Sequence, residues 1–276
     1  MSDYGILYLC PTPIGNLEDI TIRALNILKN VDIIAAEDTR HTIKLLNHYN
    51  ISKPLISYHE HNEKTRTDDI IQALKSKKSV ALVSDAGMPL ISDPGQELVN
   101  RAINEGIKVV PLPGPSAAFT ALIASGMSTE RFCFEGFLPE NKKERRKKLD
   151  EIKSEKRTII LYESPHHLVK TLQDLLNSLG NRKITIAREL TKVHEEFFRS
   201  TLEDAIQHFS GEVKGEFVLI LDGNHESAEE KWNNLSIKDH INFYVSSGMS
   251  KMDAIKNVAR DRNMPKSEVY RYAIDK

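Results

Sequence analysis

Ser84-Asp85-Ala86-Gly87-Met88-Pro89-Leu90-Ile91-Ser92-Asp93-Pro94-Gly95 follows the apolar run Val80-Ala81-Leu82-Val83. The apolar run reads as a buried strand. The twelve residues after it read as a long loop at that strand's carboxyl end. Open α/β sheets bind ligands outside the carboxyl ends of their strands. Glycine lets the backbone approach a ligand closely, and Pro89 and Pro94 stiffen the path. Two further loops share this character: Pro113-Gly114-Pro115-Ser116-Ala117-Ala118 after the run from Ile107 to Leu112, and Pro11-Thr12-Pro13-Ile14-Gly15-Asn16 near the start. Three rigid loops of small residues after three expected strands predict a pocket built largely from backbone.

Outward from that loop, strand and helix signals alternate. Strands are expected over Gly5 to Cys10, Val31 to Ala36, Leu55 to Tyr58, Val80 to Val83 and Ile107 to Leu112, with helical periods between them. This alternation predicts an α/β fold with a mostly parallel sheet under helices. After about Gly126 the pattern changes. Strands are expected over Phe132 to Leu138, Thr158 to Tyr162, Ile184 to Ala187, Glu196 to Ser200 and Phe217 to Leu221. A helix does not separate every pair, so the second sheet is expected to be mixed. The expected organisation is an N-terminal α/β domain over 1–120, a C-terminal α/β domain over 121–224 and a helical tail over 235–276. Gly223 to Asn234 is polar and reads as a linker.

A chain of 276 residues can bury a real core, and its formal net charge of −1 makes no general case for nucleic acid. Two separated cysteines, Cys10 and Cys133, argue against a disulfide framework or a zinc site and fit a reducing cytoplasm. No apolar run approaches the length needed to span a membrane.

Standard nucleotide motifs, G-x-G-x-x-G and G-x-x-x-x-G-K-[ST], are absent. His59 and His61 would share a face on a strand, yet no further ligand cluster accompanies them. They read as substrate contacts rather than metal ligands, and no metal is expected. Glu37-Asp38-Thr39-Arg40 follows a strand end, where Asp38 or Thr39 would cap a helix and the acids would also be placed to act on a ligand. Asp85 could cap a turn or accept a hydrogen bond from a ligand amine or hydroxyl. The span 141–157 holds nine Lys or Arg against four Asp or Glu. Such a run is either a solvated helix face or a footprint for phosphates. The lopsided charge favours nucleic-acid phosphates, with Lys142, Lys143, Arg145 and Arg146 as the expected contacts. In the tail, a helix from Ser250 and another from Pro265 resemble a helix-turn-helix, although any three-helix cap would give the same pattern.

Several motifs in order then resemble the tetrapyrrole methylase superfamily: Leu7 to Thr21, Ala36-Glu37-Asp38-Thr39-Arg40, Ser84 to Pro89, Pro113 to Ala117 and Tyr162-Glu163-Ser164-Pro165-His166. The resemblance spans about residues 5–222. It implies two α/β domains holding S-adenosyl-L-methionine between them, in a homodimer. It places Pro13, Ile14, Asp85, Gly87, Met88, Ser116 and Ala117 at the cofactor. Tyr162, Ala187, Arg188 and Glu216 fall where relatives contact its adenosyl part. Tetrapyrrole methylases usually read G-D-P in the middle loop. Here Ser84-Asp85-Ala86-Gly87 keeps the Asp and loses the Pro, which agrees with the RNA-directed branch. That branch implies 2′-O-methylation of a cytidine ribose in the decoding region of small-subunit (16S) rRNA, as free rRNA or as the 30S subunit. The expected catalytic group is Glu37 or Asp38 as base, Arg40 as electrostatic or phosphate partner, and Glu189 or Lys192 from the second domain. A ring-directed methyltransferase and a non-catalytic RNA-binding module are the alternatives.

Overall fold

The computed structural model describes residues 4–211, 213–225, 232 and 235–274. Five short strands form the first sheet: β1 (Ile6–Leu9), β2 (Ile33–Ala36), β3 (Leu55–Ser57), β4 (Val80–Val83) and β5 (Lys108–Pro111). Their order is β3-β2-β4-β1-β5, and every pairing is parallel. Parallel neighbours need crossovers. Helices α1 (Ile22–Asn30), α2 (Thr39–His48), α3 (Glu63–Lys75) and α4 (Gln96–Asn104) supply them. β4 is buried at all four positions, as its unbroken apolar run requires.

α5 (Ala117–Ala124) then leads to the second sheet. It comprises β6 (Phe132–Phe137), β7 (Thr158–Glu163), β8 (Lys183–Arg188), β9 (Glu196–Thr201) and β10 (Phe217–Leu221). The order is β6-β7-β10-β8-β9. β6 and β7 are parallel and the other pairs antiparallel, so the sheet is mixed as expected. α6 (Lys142–Ile152), α7 (Leu168–Leu179) and α8 (Leu202–His208) accompany it. Fully buried β10 sits at its centre, and Leu161, Leu172, Ile186, Leu219 and Leu221 build its core.

Both sheets fall in one compact unit, Met1–Gly223, and the second unit is Asn224–Lys276. In the second unit α9 (Ile237–Ser246), α10 (Lys251–Asp261) and α11 (Lys266–Ile274) pack around Ile241, Ile255, Val258 and Val269. Ser250 caps α10 by accepting from the Asp253 N–H. Most of the expected linker, residues 226–231 with 233 and 234, lies outside the described residues. Among the described residues no helix is long and apolar enough to cross a membrane.

Candidate active site

The loops after β1, β2, β4 and β5 gather at the carboxyl edge of the first sheet. Two hydrogen bonds fix the first and third of them together: Thr12 N–H donates to the Gly87 carbonyl at 2.9 Å, and Gly87 N–H to the Thr12 carbonyl at 3.0 Å. Gly87 sits at φ +82°, a region in which a side chain would be strained. Thr12 Oγ1 donates to the Ser84 carbonyl at 3.1 Å. The Asp38 N–H, just past β2, donates to Asp85 Oδ1 at 3.0 Å and joins the second loop to the same knot.

A cavity of about 390 Å³ opens between these loops and the edge of the second sheet. Ile14, Glu37, Asp85, Gly87, Met88, Asp93, Ser116 and Ala117 line one wall. Phe137, Tyr162, Glu163, Leu190 and Glu216 line the other. The walls meet where the β1 loop seats on the β8–β9 loop. A Cβ on Gly15 would lie 2.6–2.7 Å from Lys192 Cγ, the Leu190 carbonyl oxygen and Thr191 Oγ1, so only glycine permits the approach. Four non-glycine residues of the bordering loops have left-handed backbones: Leu90 (φ 73°), Ser92 (φ 66°), Glu189 (φ 51°) and Thr191 (φ 66°). Such conformations are costly and gather at functional sites.

The electrostatics of the cavity are one-sided. Five carboxyl groups line it, from Glu37, Asp85, Asp93, Glu163 and Glu216, and among the described residues no Lys or Arg does. Burial, the negative charge of Glu37 and that of Asp85 push Asp93 up to about 7, against the pull of a Ser84 hydrogen bond. Burial and the charge of Asp85 also raise Glu37. Burial, with the charge of Asp93, raises the Tyr162 phenol, whose oxygen accepts from the Ala118 N–H at 3.3 Å.

The other expected site residues take different places. Asp38 caps α2 by accepting from the Arg40 N–H at 2.8 Å, and its carboxylate is forked by the Arg40 guanidinium at 3.1 and 2.8 Å. Those bonds pull Asp38 down to about 2. Arg40 itself is 88% exposed. Neither residue lines the main cavity. Pro13 lines a smaller neighbouring cavity. Lys192 Nζ bridges Glu189 Oε1 at 2.8 Å and Glu216 Oε2 at 2.9 Å, and of these three only Glu216 lines the main cavity. Ala187 is buried in the second sheet, and Arg188 donates to the Lys214 carbonyl at 2.7 Å. Neither of them reaches the cavity wall.

On α6, Lys142, Lys143 and Arg146 are exposed, but Arg145 points inward and is 7% exposed. Arg145 Nε donates to Asp174 Oδ2 at 2.7 Å and Nη2 to Thr171 Oγ1 at 2.6 Å. Thr171 donates in turn to Glu163 Oε2 at 2.5 Å, so Arg145 buttresses a cavity carboxylate from behind. Its place among the surface RNA contacts is corrected accordingly. The His59–His61 pair also needs correction. β3 ends at Ser57, and His59 N–H donates to Asn62 Oδ1 at 2.9 Å, so the segment is a turn and not a strand with a shared face. Asp93 and Glu163 are cavity residues that sequence reasoning did not select. Both lay inside motifs already singled out, Asp93 in the same loop as Asp85.

The model of the family described as Tetrapyrrole (Corrin/Porphyrin) Methylases matches residues 7–206. The chain is 56% identical over 273 residues to a Halalkalibacterium halodurans protein named ribosomal RNA small subunit methyltransferase I, covering 97% of this chain and 94% of that one. It is 52% identical over 274 residues to the Bacillus subtilis protein of the same name, covering 98% and 94%. Among solved structures it is similar to uroporphyrin-III C-methyl transferase from Thermus thermophilus complexed with S-adenyl homocysteine. That match has a TM-score of 0.56 and 18% identity, and covers 79% of this chain and 97% of the other.

Proposed function

The chain belongs to the tetrapyrrole methylase family, and from that premise we propose that it methylates small-subunit ribosomal RNA with S-adenosylmethionine. The acceptor we infer is the 2′-hydroxyl of a cytidine ribose in the decoding region. One observation carries the reading at the level of chemistry: the main cavity is ringed by carboxyl groups and lacks Lys and Arg among the described residues. Five carboxyl groups would repel a phosphate, with no Lys or Arg among the described residues lining the cavity to offset them. A ligand bearing a sulfonium and an ammonium meets the reverse. The volume of about 390 Å³ lies in the range of small-molecule sites, roughly 300–1,000 Å³.

The bound cofactor supplies a methyl group already activated for displacement. The residues of the chain bind, align and handle the proton. Glu37, Asp85 and Asp93 offer negative charge to the cation, and Gly87, Ser116 and Ala117 let the main chain close on it. Tyr162 and Phe137 give the opposite wall an aromatic surface; their rings are 5.7 Å apart. A ribose hydroxyl is a weak nucleophile and needs a base. Glu37 suits this role better than Asp38. Burial has raised Glu37, whereas Arg40 holds Asp38 too low to take a proton readily. Asp38 serves instead as a positioning residue through the bond from its N–H to Asp85.

For the RNA we keep exposed Lys142, Lys143 and Arg146 as phosphate contacts, which position rather than specify. Residues 1–120 and 121–224 are proposed as paired α/β domains of one unit, and the tail as an accessory element. The homodimer rests on α5, where Phe119 and Ile123, one helical turn apart, are 52% and 78% exposed. A ribosomal substrate would place the reaction in the cytoplasm.

The test is incubation with labelled S-adenosylmethionine and, in parallel, undermethylated small subunits, naked 16S rRNA and a tetrapyrrole. Label mapped to a cytidine 2′-oxygen is the expected result. Label on the ring compound alone, or no transfer despite cofactor binding, overturns the reading.

A further inference from the structure

Asp85 also lines a second cavity, of about 170 Å³, and among the described residues is the one lining both. The other walls of the small cavity include Thr12, Leu17, His41, Thr42 and Lys44. Its volume falls below the roughly 300–1,000 Å³ of sites that take a whole small molecule. It suits one part of a larger ligand whose remainder lies outside.

The chemistry of the walls narrows the occupant. His41 and Lys44 stand exposed, while Asp85 supplies an acceptor-only carboxylate. Thr42 is 2% exposed, and its hydroxyl has no hydrogen-bond partner. A helical threonine commonly gives its hydroxyl to the carbonyl four residues back. Here that carbonyl, Asp38's, already accepts from the N–H groups of His41 and Thr42 at 3.1 and 3.0 Å. A buried hydroxyl is thus left for a ligand.

We propose that this cavity seats the acceptor nucleotide, its phosphate at Lys44 and His41 and its ribose hydroxyls between Thr42 and Asp85. The assignment rests on the RNA-methylating reading above and adds to it the place of the acceptor sugar. The Lys44 ammonium and a His41 ring N–H meet the anionic backbone, and a hydroxyl and a carboxylate meet the 2′-OH, the group that tells RNA from DNA. Because Asp85 belongs to both cavities, the sugar bound in one borders the methyl donor bound in the other.

The experiment uses the full-length protein with undermethylated small subunits, and an rRNA fragment carrying either ribose or 2′-deoxyribose at the target cytidine. Lys44→Ala is expected to raise KM for subunits about tenfold and to lower the slope of log affinity against log salt by about one. Thr42→Val is expected to cut kcat/KM for subunits at least fivefold and to abolish the preference in binding affinity for the ribose fragment over the deoxy one, which carries no acceptor oxygen and serves only as a binding probe. Thr42→Ser should restore that preference. S-adenosylmethionine affinity, read by calorimetry, should stay within twofold of wild type in all three, with melting curves confirming the fold.

Unchanged KM, salt slope and ribose preference would overturn the assignment. So would loss of cofactor affinity in a folded variant, since the cavity would then belong to the cofactor site. Failure of the wild-type protein to methylate subunits at all is a different outcome, because it sinks the reading beneath the assignment.

Discussion

On the first-sheet wall of the main cavity, burial and mutual repulsion raise Glu37 and Asp93, and among the described residues no basic side chain lines the space beside them. Behind the second-sheet wall, Lys192 holds Glu189 down and also pairs with Glu216 of the wall itself, and Glu163 accepts from Thr171 and the Ser164 N–H. The same functional group thus has two different duties. Carboxylates satisfied by their own protein give a wall its shape. Carboxylates without a cationic partner in their cavity mark where a ligand can supply positive charge, or a proton can be taken. The acidic wall is ready for chemistry and the paired wall for alignment.

The sharpest way to break this contrast is to neutralise one carboxylate on the first wall and one in the bridge behind the second. Glu37→Gln should lower kcat for methyl transfer by roughly 10²–10⁴, the usual worth of a general base. Glu189→Gln should not approach that loss. Equal losses in the same labelled-transfer assay would erase the distinction. Next comes the support of the paired wall. Arg145→Met removes the donor behind Thr171 and Glu163, and because Asp174 is partly exposed the cost should be about 2 kcal/mol of folding stability. Urea titration would read it, and Lys143→Met, on the exposed face of the same helix, should leave the midpoint where it was.

The third effect is one of pH. Folding raises Asp93 from its ordinary range to about 7, so folding favours its neutral form. The stability this gives the free protein is complete below the ordinary aspartate range and is lost as pH rises through about 7. A cationic ligand reverses the preference. S-adenosylmethionine affinity should therefore rise by up to about tenfold between pH 6 and pH 8, with proton release visible by calorimetry in buffers of different ionisation enthalpy. Asp93→Asn should flatten that profile. The smallest change is expected on the paired wall, where Lys192→Met removes a partly exposed bridge and should alter cofactor affinity by less than about threefold.

Much of this was legible in the residues. Val80–Val83 and Phe217–Leu221 were read to their ends, because fully buried strands write themselves as unbroken apolar runs. The loops after β1, β4 and β5 stood out through Gly and Pro, and their place at strand ends followed from the α/β alternation. α5 gave no such signal, since AAFTALIA lacks a polar face from which to read a period. Arg145 was grouped with its basic neighbours although Arg145, Leu149 and Ile152 keep the spacing i, i+4, i+7, and this inward stripe outranks composition. Asp93 was passed over for a different reason. Its character comes first from burial and then from Glu37, on another loop, and Asp85, eight residues back, and no local pattern reports surroundings brought in by folding.

The left-handed backbones of Leu90, Ser92, Glu189 and Thr191 also bear on how this enzyme would respond to selection for heat resistance. Each costs on the order of 1 kcal/mol, so each is a place where a change to glycine could be rewarded with a higher melting point. All four lie in loops that border the main cavity. A thermostability screen blind to activity would be drawn to these positions, and the hardier variants it returned would have relaxed the loops that frame the reaction.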